Sequence, residues 1–549
     1  MKTNLFTLFL IVIVILMFNA GVSSAQVGEI WTQRYNGPAD STEFLSAMTV
    51  DLEGNVYVTG SSIGSSGAYY DIVTIKYNNN GSVQWLQRYN GPADSTDIGN
   101  SIIVDGSGNV YITGESYGVG TKSDIITIKY NSSGVQQWLQ RFNGPENMQD
   151  EGRQILLDAS GNLFVRGVTL TGATSYDYIV LKYNSSGMQQ WMKTYNGTGS
   201  SSDSPSDLKI DASGNVYITG YSTGVGTGYD WLTIKYDPTG TQLWEKRFNG
   251  PGNSTDVANS LAVDASGNIY VTGFTGGNGT GNDITTIKYN SSGIQQWIQT
   301  YNGPGNANDN ARSLVLDADG NVYITGYSAG VSSGSDYTTI KYNSSGAQQW
   351  LVTYNGPGNA GEDAFSLVLD AAGNIYITGS SVGSGTDYDY ATVKYNQSGV
   401  QQWVQRYNGT GNSYDESRPL AIDTSGNVYV AGTSRGSNTA RDYATIKYSQ
   451  TIGIQNISSE IPKGFSLSQN YPNPFNPVTN IRLNIAKSGF VLMKVYDITG
   501  KEVAVLVNED LSAGVYNVDF DASMLSSGTY FYSMETAGFR DVKKMVVVK

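Results

Sequence analysis

Between residues 29 and 448 the chain repeats one pattern: a short apolar run, then a turn of Gly, Asn, Asp or Ser. The stretch 256–301 shows one complete unit. Ser260–Asp264 is apolar, Ala265-Ser266-Gly267-Asn268 turns, and Ile269–Gly273 is apolar again. A Gly-rich loop leads through Asp283 to Ile284–Tyr289, Asn290-Ser291-Ser292-Gly293 turns once more, and Ile294–Tyr301 closes the unit. Gly and Asn accept the positive φ that tight hairpins need. The unit therefore predicts four short antiparallel strands, the content of one propeller blade. Words such as Val-Tyr-Ile-Thr-Gly do not alternate cleanly between apolar and polar, as expected of sheets covered on both faces.

The unit recurs at a fixed period. Trp stands at 31, 85, 138, 191, 244, 297, 350 and 403, and all but the first interval are 53 residues. The word SGNVYITG at 107–114 stands, exactly or in variant form, eight times in the chain, and a Lys-Tyr pair closes the third strand at 76, 129, 182, 235, 288, 341, 394 and 447. The first Trp word, Glu29–Tyr35, is a fourth strand standing alone, whereas the words ending at Tyr448 supply only strands one to three. The expected architecture is thus all-β: an eight-bladed propeller of four-stranded blades. Its ring is closed by the N-terminal strand, which would satisfy two open sheet edges. A competing closure uses Gly453-Ile454-Gln455, which echoes the Gly-Ile-Gln of 293–295 without the Trp.

The ends differ from the repeats. Lys2, the apolar stretch Leu5–Phe18 and Ser23-Ser24-Ala25 read as a secretory signal peptide over 1–25, placing the mature start at Gln26. No other stretch is apolar enough to span a bilayer, so an integral membrane protein is not expected. The propeller is expected over 26–448, a polar linker over 449–464 and a separate module over 465–549. That last part has Pro at 472, 474 and 477 and strand-like runs spaced as in a small Ig-like β-sandwich.

Composition narrows the chemistry. The 549 residues contain no Cys and no His. This excludes disulfides, thiol and imidazole catalysis and most transition-metal sites. The charge of −14 lies in the repeats, where 38 acids face 23 bases after the signal, against nine of each beyond residue 449. A nucleic-acid partner would need the opposite sign. Three sets of acids are in register. One stands twelve residues after each Trp: Glu43, Asp97, Asp150, Asp203, Asp256, Asp309, Glu362 and Asp415. A second stands five residues before each repeated Lys, and a third, from Asp51 to Asp423, opens the first hairpin. Propeller geometry puts the first two sets on one face and the third on the other. Acids repeated in every blade read first as scaffold, and the hairpin set as Asx turns. Where crowded carboxylates are left over, hard cations such as Ca²⁺ are the matching ligand, which makes Asp97, Asp150, Asp203, Asp256, Asp309 and Asp415 candidate metal ligands. A specific site should instead break the repeat. Trp231, Glu151, Arg153, Arg312, Glu416 and Arg418 do so and are the candidate ligand-binding residues. No constellation has reaction geometry, so a non-catalytic binding or adhesion protein for a glycan or protein ligand is the first expectation. A carbohydrate-active hydrolase or lyase using Glu151 and Glu416 is the alternative.

Two resemblances extend this reading. The recurring D-x-x-G-N-x-Y-x-T-G core resembles the bacterial SBBP β-propeller repeat, over about Glu29–Tyr448, and implies a propeller without naming an activity. Tyr471-Pro-Asn-Pro-Phe-Asn-Pro477, Val495–Val503, Phe520–Ser523, Ser527–Tyr530 and Lys543–Val546 resemble the type A sorting domain of the type IX secretion system over Phe465–Lys549. That likeness implies export through the periplasm, passage of the outer membrane by the secretion machinery, and a product released or held at the cell surface.

Overall fold

The computed structural model describes residues 27–548 apart from 65–68, 173–174, 200, 438, 451–453, 459 and 523–524. The expected signal peptide lies outside the described residues. Ten four-stranded antiparallel sheets make up the described chain, and eight of them come from the repeats. We call these blades 1 to 8 and their strands a to d from the channel outward. Blade 1 is Glu43–Val50, Val56–Ile63, Tyr70–Tyr77 and Val83–Tyr89. Blades 2 to 7 follow at 97–142, 150–195, 203–248, 257–301, 310–354 and 362–407. Blade 8 takes strands a to c from Asp415–Ile422, Val428–Arg435 and Arg441–Gln450. Its strand d is the N-terminal strand Val27–Tyr35, paired antiparallel from Val27↔Gln450 to Tyr35↔Tyr443. Strands a of neighbouring blades meet around the axis, and those of blades 8 and 1 close the ring.

The repeated words each have a mechanical task. In the first hairpin the Asp side chain accepts the main-chain N–H groups two and four residues on: Asp105 Oδ1 holds Ser107 and Asn109, both at 2.9 Å. Its second oxygen takes the hydroxyl of the tyrosine on strand b, as Tyr111 to Asp105 at 3.0 Å. The Gly that ends the Val-Tyr-Ile-Thr-Gly word allows strand a to approach: a Cβ at Gly114 would lie 1.8 Å from the carbonyl oxygen of Ile98. The Gly of the second hairpin has φ +81° at Gly134, and a Cβ there would strike the Trp85 ring of the preceding blade at 2.8 Å. Trp85 also donates its indole N–H to Ser132 O in that hairpin at 3.1 Å. The eight in-register tryptophans all stand on strand d. Most are half-buried clamps on the outer edge, each gripping the next blade's hairpin. Trp31 and Trp403, at the closure, are the two that are buried.

After blade 8 two four-stranded sheets enclose one core that includes Ile481, Leu483, Met493, Val495, Val518 and Met534. Ile454–Ser458 pairs with Gly514–Asp521 in the first of these sheets. The segment expected as a linker, 449–464, therefore contributes its middle to this module and its first two residues to blade 8. The competing ring closure through Ile454 and Gln455 is excluded, because those residues pair elsewhere. Among the described residues no helix is long and apolar enough to cross a membrane.

Candidate functional site

The ring ends where strands a and c begin carry the two acidic sets, brought together across each blade boundary. The set twelve residues after Trp is buried, at no more than 1% exposure. These side chains tie the incoming loop to the strand: Gly91 N–H donates to Asp97 Oδ2 at 2.6 Å, and Gly144, Gly197, Gly250, Gly303 and Gly409 do the same for Asp150, Asp203, Asp256, Asp309 and Asp415. Asp203, Asp256, Asp309 and Asp415 also accept a main-chain N–H of strand b or its end through Oδ1. Burial outweighs these bonds and raises the pKa of Asp97, Asp150, Asp256, Asp309 and Asp415, and pushes Glu43 and Glu362 up to about 7.

The second set is served by a partner that the sequence reading passed over. Arg stands three residues after Trp in five repeats and reaches inward to the Asp at the start of strand c. Arg34–Asp442, Arg88–Asp71, Arg141–Asp124, Arg247–Asp230 and Arg406–Asp389 are 2.7–2.9 Å apart. The fixed spacing of 17 residues between Asp71 and Arg88 is visible in the chain. Its meaning needs the pairing of strands c and d. The repeated lysines are spent elsewhere: each lies 4.8–5.1 Å over the aromatic ring of strand b, from Lys76 on Tyr57 to Lys447 on Tyr429.

Against this regular background the irregular residues gather at one place. The position after the buried acid on strand a reads Phe44, Ile98, Glu151, Ser204, Val257, Asn310, Asp363 and Glu416. Two further on it reads Ser46, Asn100, Arg153, Ser206, Asn259, Arg312, Phe365 and Arg418. These two tiers differ from blade to blade, and members of both line the mouth of the central channel. A cavity of about 550 Å³ opens there between blades 8, 1, 2 and 3, lined among others by Phe44, Glu115, Glu151, Arg153, Glu416 and Arg418. Arg153 forks onto Glu151 Oε2 at 3.0 and 2.8 Å and reaches Ser204 Oγ at 2.7 Å. Arg418 pairs with Glu416, which also accepts the Tyr414 hydroxyl at 2.6 Å. Arg312 pairs with Asp363 at 2.8 Å and, with Arg418, covers the Phe365 ring. Aromatic pairs crown the rim: Tyr221–Tyr229, Tyr388–Tyr414 and Phe44–Tyr70.

Four of the six residues expected to bind ligand, Glu151, Arg153, Glu416 and Arg418, line this cavity; Arg312 adjoins it through the Phe365 ring that it shares with Arg418, and Trp231 lies apart. Trp231 is 1% exposed, edge-on to Phe248 at 5.8 Å, with its indole N–H on Phe274 O of the next blade at 2.9 Å. It occupies the strand c position filled by Ile72, Ile125, Tyr178, Ile284, Tyr337, Tyr390 and Tyr443, all buried. It is a larger core side chain, because residues next to each other on a strand point to opposite faces and Asp230 takes the other one. Glu115, on strand b of blade 2, and Arg441, at the start of strand c of blade 8, also line the cavity and were missed. Both break their repeat columns, which is the signal that finds them. Burial pushes Glu115 up to about 7; the Glu151 charge adds to this, and the Arg153 charge opposes it.

Residues 469–548 match the secretion system C-terminal sorting domain, and residues 30–67, 84–120, 243–280 and 402–438 match the beta-propeller repeat family called SBBP. An uncharacterized WD repeat-containing protein of Acanthamoeba polyphaga mimivirus is 23% identical over 340 residues, which take in 53% of this chain and 23% of the viral protein. The chain thus spans about a quarter of the length of that relative. Among solved structures, a copper-bound fungal alcohol oxidase of the AA5 family aligns over 96% of this chain and all of its own, at 14% identity and a TM-score of 0.40. The β-propeller domain of the Trilobed protease from Pyrococcus furiosus aligns over 64% of this chain and 95% of its own, at 8% identity and a TM-score of 0.38.

Proposed function

We propose, for a β-propeller repeat protein exported to the cell surface or extracellular space by a type IX secretion sorting domain, that the propeller is a non-catalytic binding module. Its ligand, a glycan or a polypeptide, docks at the channel mouth. One observation carries this reading: eight of the sixteen residues in the two tiers that differ from blade to blade line a single cavity. A scaffold needs the same residue eight times. A ligand without eightfold symmetry needs different residues at equivalent points. The groups assembled there suit recognition. Arg–carboxylate pairs present polar edges at fixed angles, and the exposed Phe44 and half-buried rim tyrosines offer flat apolar surface with little rotamer entropy to lose. Glu151 and Glu416 are each engaged by an Arg, so neither is poised as a free acid or base.

Binding of the intact chain to glycan and peptide arrays tests this, with Tyr414→Ala combined with Arg418→Ala as the comparison. A saturable ligand lost in that variant at unchanged melting temperature supports the mouth. A ligand retained by that variant would move the site elsewhere.

A further inference from the structure

The charges that line the cavity do not all find partners within it. Glu151 is held by Arg153, and Glu416 by Arg418. Two remain. Arg441 is stacked over Tyr414 at 4.9 Å and Phe44 at 6.0 Å, and it has no carboxylate partner among the described residues. Glu115 lines the cavity and has no ion pair among the described residues. Arg153, the guanidinium whose charge acts on Glu115, is already forked onto Glu151. The two unmatched groups have opposite sign and come from blades 8 and 2. Between them blade 1 contributes Phe44, and Ile98 of blade 2 adds a second apolar surface to the lining.

We propose that this cavity takes a short zwitterionic peptide, with its ammonium end on Glu115, its carboxylate end on Arg441 and an apolar side chain against Phe44 and Ile98. This rests on the channel-mouth reading above and narrows it. A partly buried group without a counter-charge is costly to ionise, and a ligand that supplies both opposite charges at once favours both ionised forms in one event. A neutral sugar relieves neither. Guanidinium and carboxylate meet in a two-pronged geometry, which favours a chain-end carboxylate on Arg441 over a single hydroxyl. The cavity, about 550 Å³, is of the size that holds small ligands.

The test uses calorimetry on the intact chain with the tripeptide Ala-Phe-Ala in four forms: both ends free, amino end acetylated, carboxyl end amidated, and both blocked. The free form should bind, and each block should weaken it at least tenfold. Glu115→Gln should erase the penalty for acetylation while keeping the penalty for amidation, and Arg441→Gln should do the reverse. A variant that merely folds poorly would lose both preferences together, so the crossed pattern is the diagnostic result. Doubly blocked peptide binding as tightly as the free form would overturn the proposal. So would a free peptide whose affinity neither substitution changes. A glycan that binds at the mouth while no tripeptide does would overturn it and leave the binding reading standing. Silence from both ligand classes would overturn both.

Discussion

Removal of Val27–Tyr35 tests what closes the ring. The deletion strips strand d from blade 8 and leaves strand c, Arg441–Gln450, as an open edge beside blade 1. Three losses dominate. Trp31, 8% exposed, is taken from its seat against the Gly81 hairpin and Tyr77, and losing a core aromatic costs about 3–5 kcal/mol. Arg34 no longer meets Asp442, whose side chain is 4% exposed, and orphaning a buried carboxylate costs about 3–5 kcal/mol. Val27, 7% exposed, packs on Trp403 and Tyr448, and its burial is worth about 1.5 kcal/mol. Together these reach roughly 8–12 kcal/mol, within the range of a domain's whole stability. The shortened chain should therefore melt far below the intact one, or associate through the exposed edge. Size-exclusion chromatography and thermal melts read both outcomes. A synthetic peptide spanning residues 27–37, added in trans, should restore the melting temperature in a concentration-dependent way by re-forming the strand. A monomeric truncated protein that melts within a few degrees of the parent would refute the reasoning, because it would mean that seven complete blades and a three-stranded eighth are sufficient.

Three further outcomes are expected. Trp231→Ala should cost about 3–5 kcal/mol in chemical denaturation while leaving mouth ligands bound as before, since the side chain is core; a selective loss of ligand would contradict its placement. Glu43 and Glu362 have folded pKa values pushed up to about 7 by burial, above the unfolded value of about 4.3. The folded state then binds more protons between those values, so their stabilising contribution is full below about pH 4.3 and is lost as pH rises toward 7. The hairpin acids Asp105, Asp211, Asp264 and Asp317 are shifted down and act in the opposite sense, losing stability only as pH falls below the ordinary carboxylate range. Melting temperature should accordingly fall between pH 5 and 8, and Glu43→Gln with Glu362→Gln should flatten that slope; an unchanged slope would assign it to other groups. Finally, a chain ending at Gln450 keeps all eight blades and should fold cooperatively but stay in the periplasm; normal surface delivery would contradict the sorting role of the C-terminal module.

A regular repeat makes most of this fold readable from the chain. The 53-residue period, the Gly-Asn turns and the four apolar runs per unit specify blades because each blade obeys the same local rules, and eight copies of one pattern leave little room for another architecture. The orphan Trp word at the N-terminus specified the closure for the same reason, since a lone strand d requires a sheet that lacks one. Tertiary structure decided what depends on the partner across a boundary. Whether Trp85 is core or clamp is set by the next blade's hairpin, 47 residues on. Whether Asp71 is a free acid or half of an ion pair is set by Arg88 on the neighbouring strand. Trp231 looked exceptional in the sequence, but the strand's alternation turned it into the core, whereas Glu115 and Arg441, which also break their repeat columns, were turned toward the channel. Ile454–Ser458 shows the same limit, since a weakly apolar run belongs to whichever open sheet edge can take it. Local pattern fixes which residues form strands; which face meets which neighbour is a property of the closed ring.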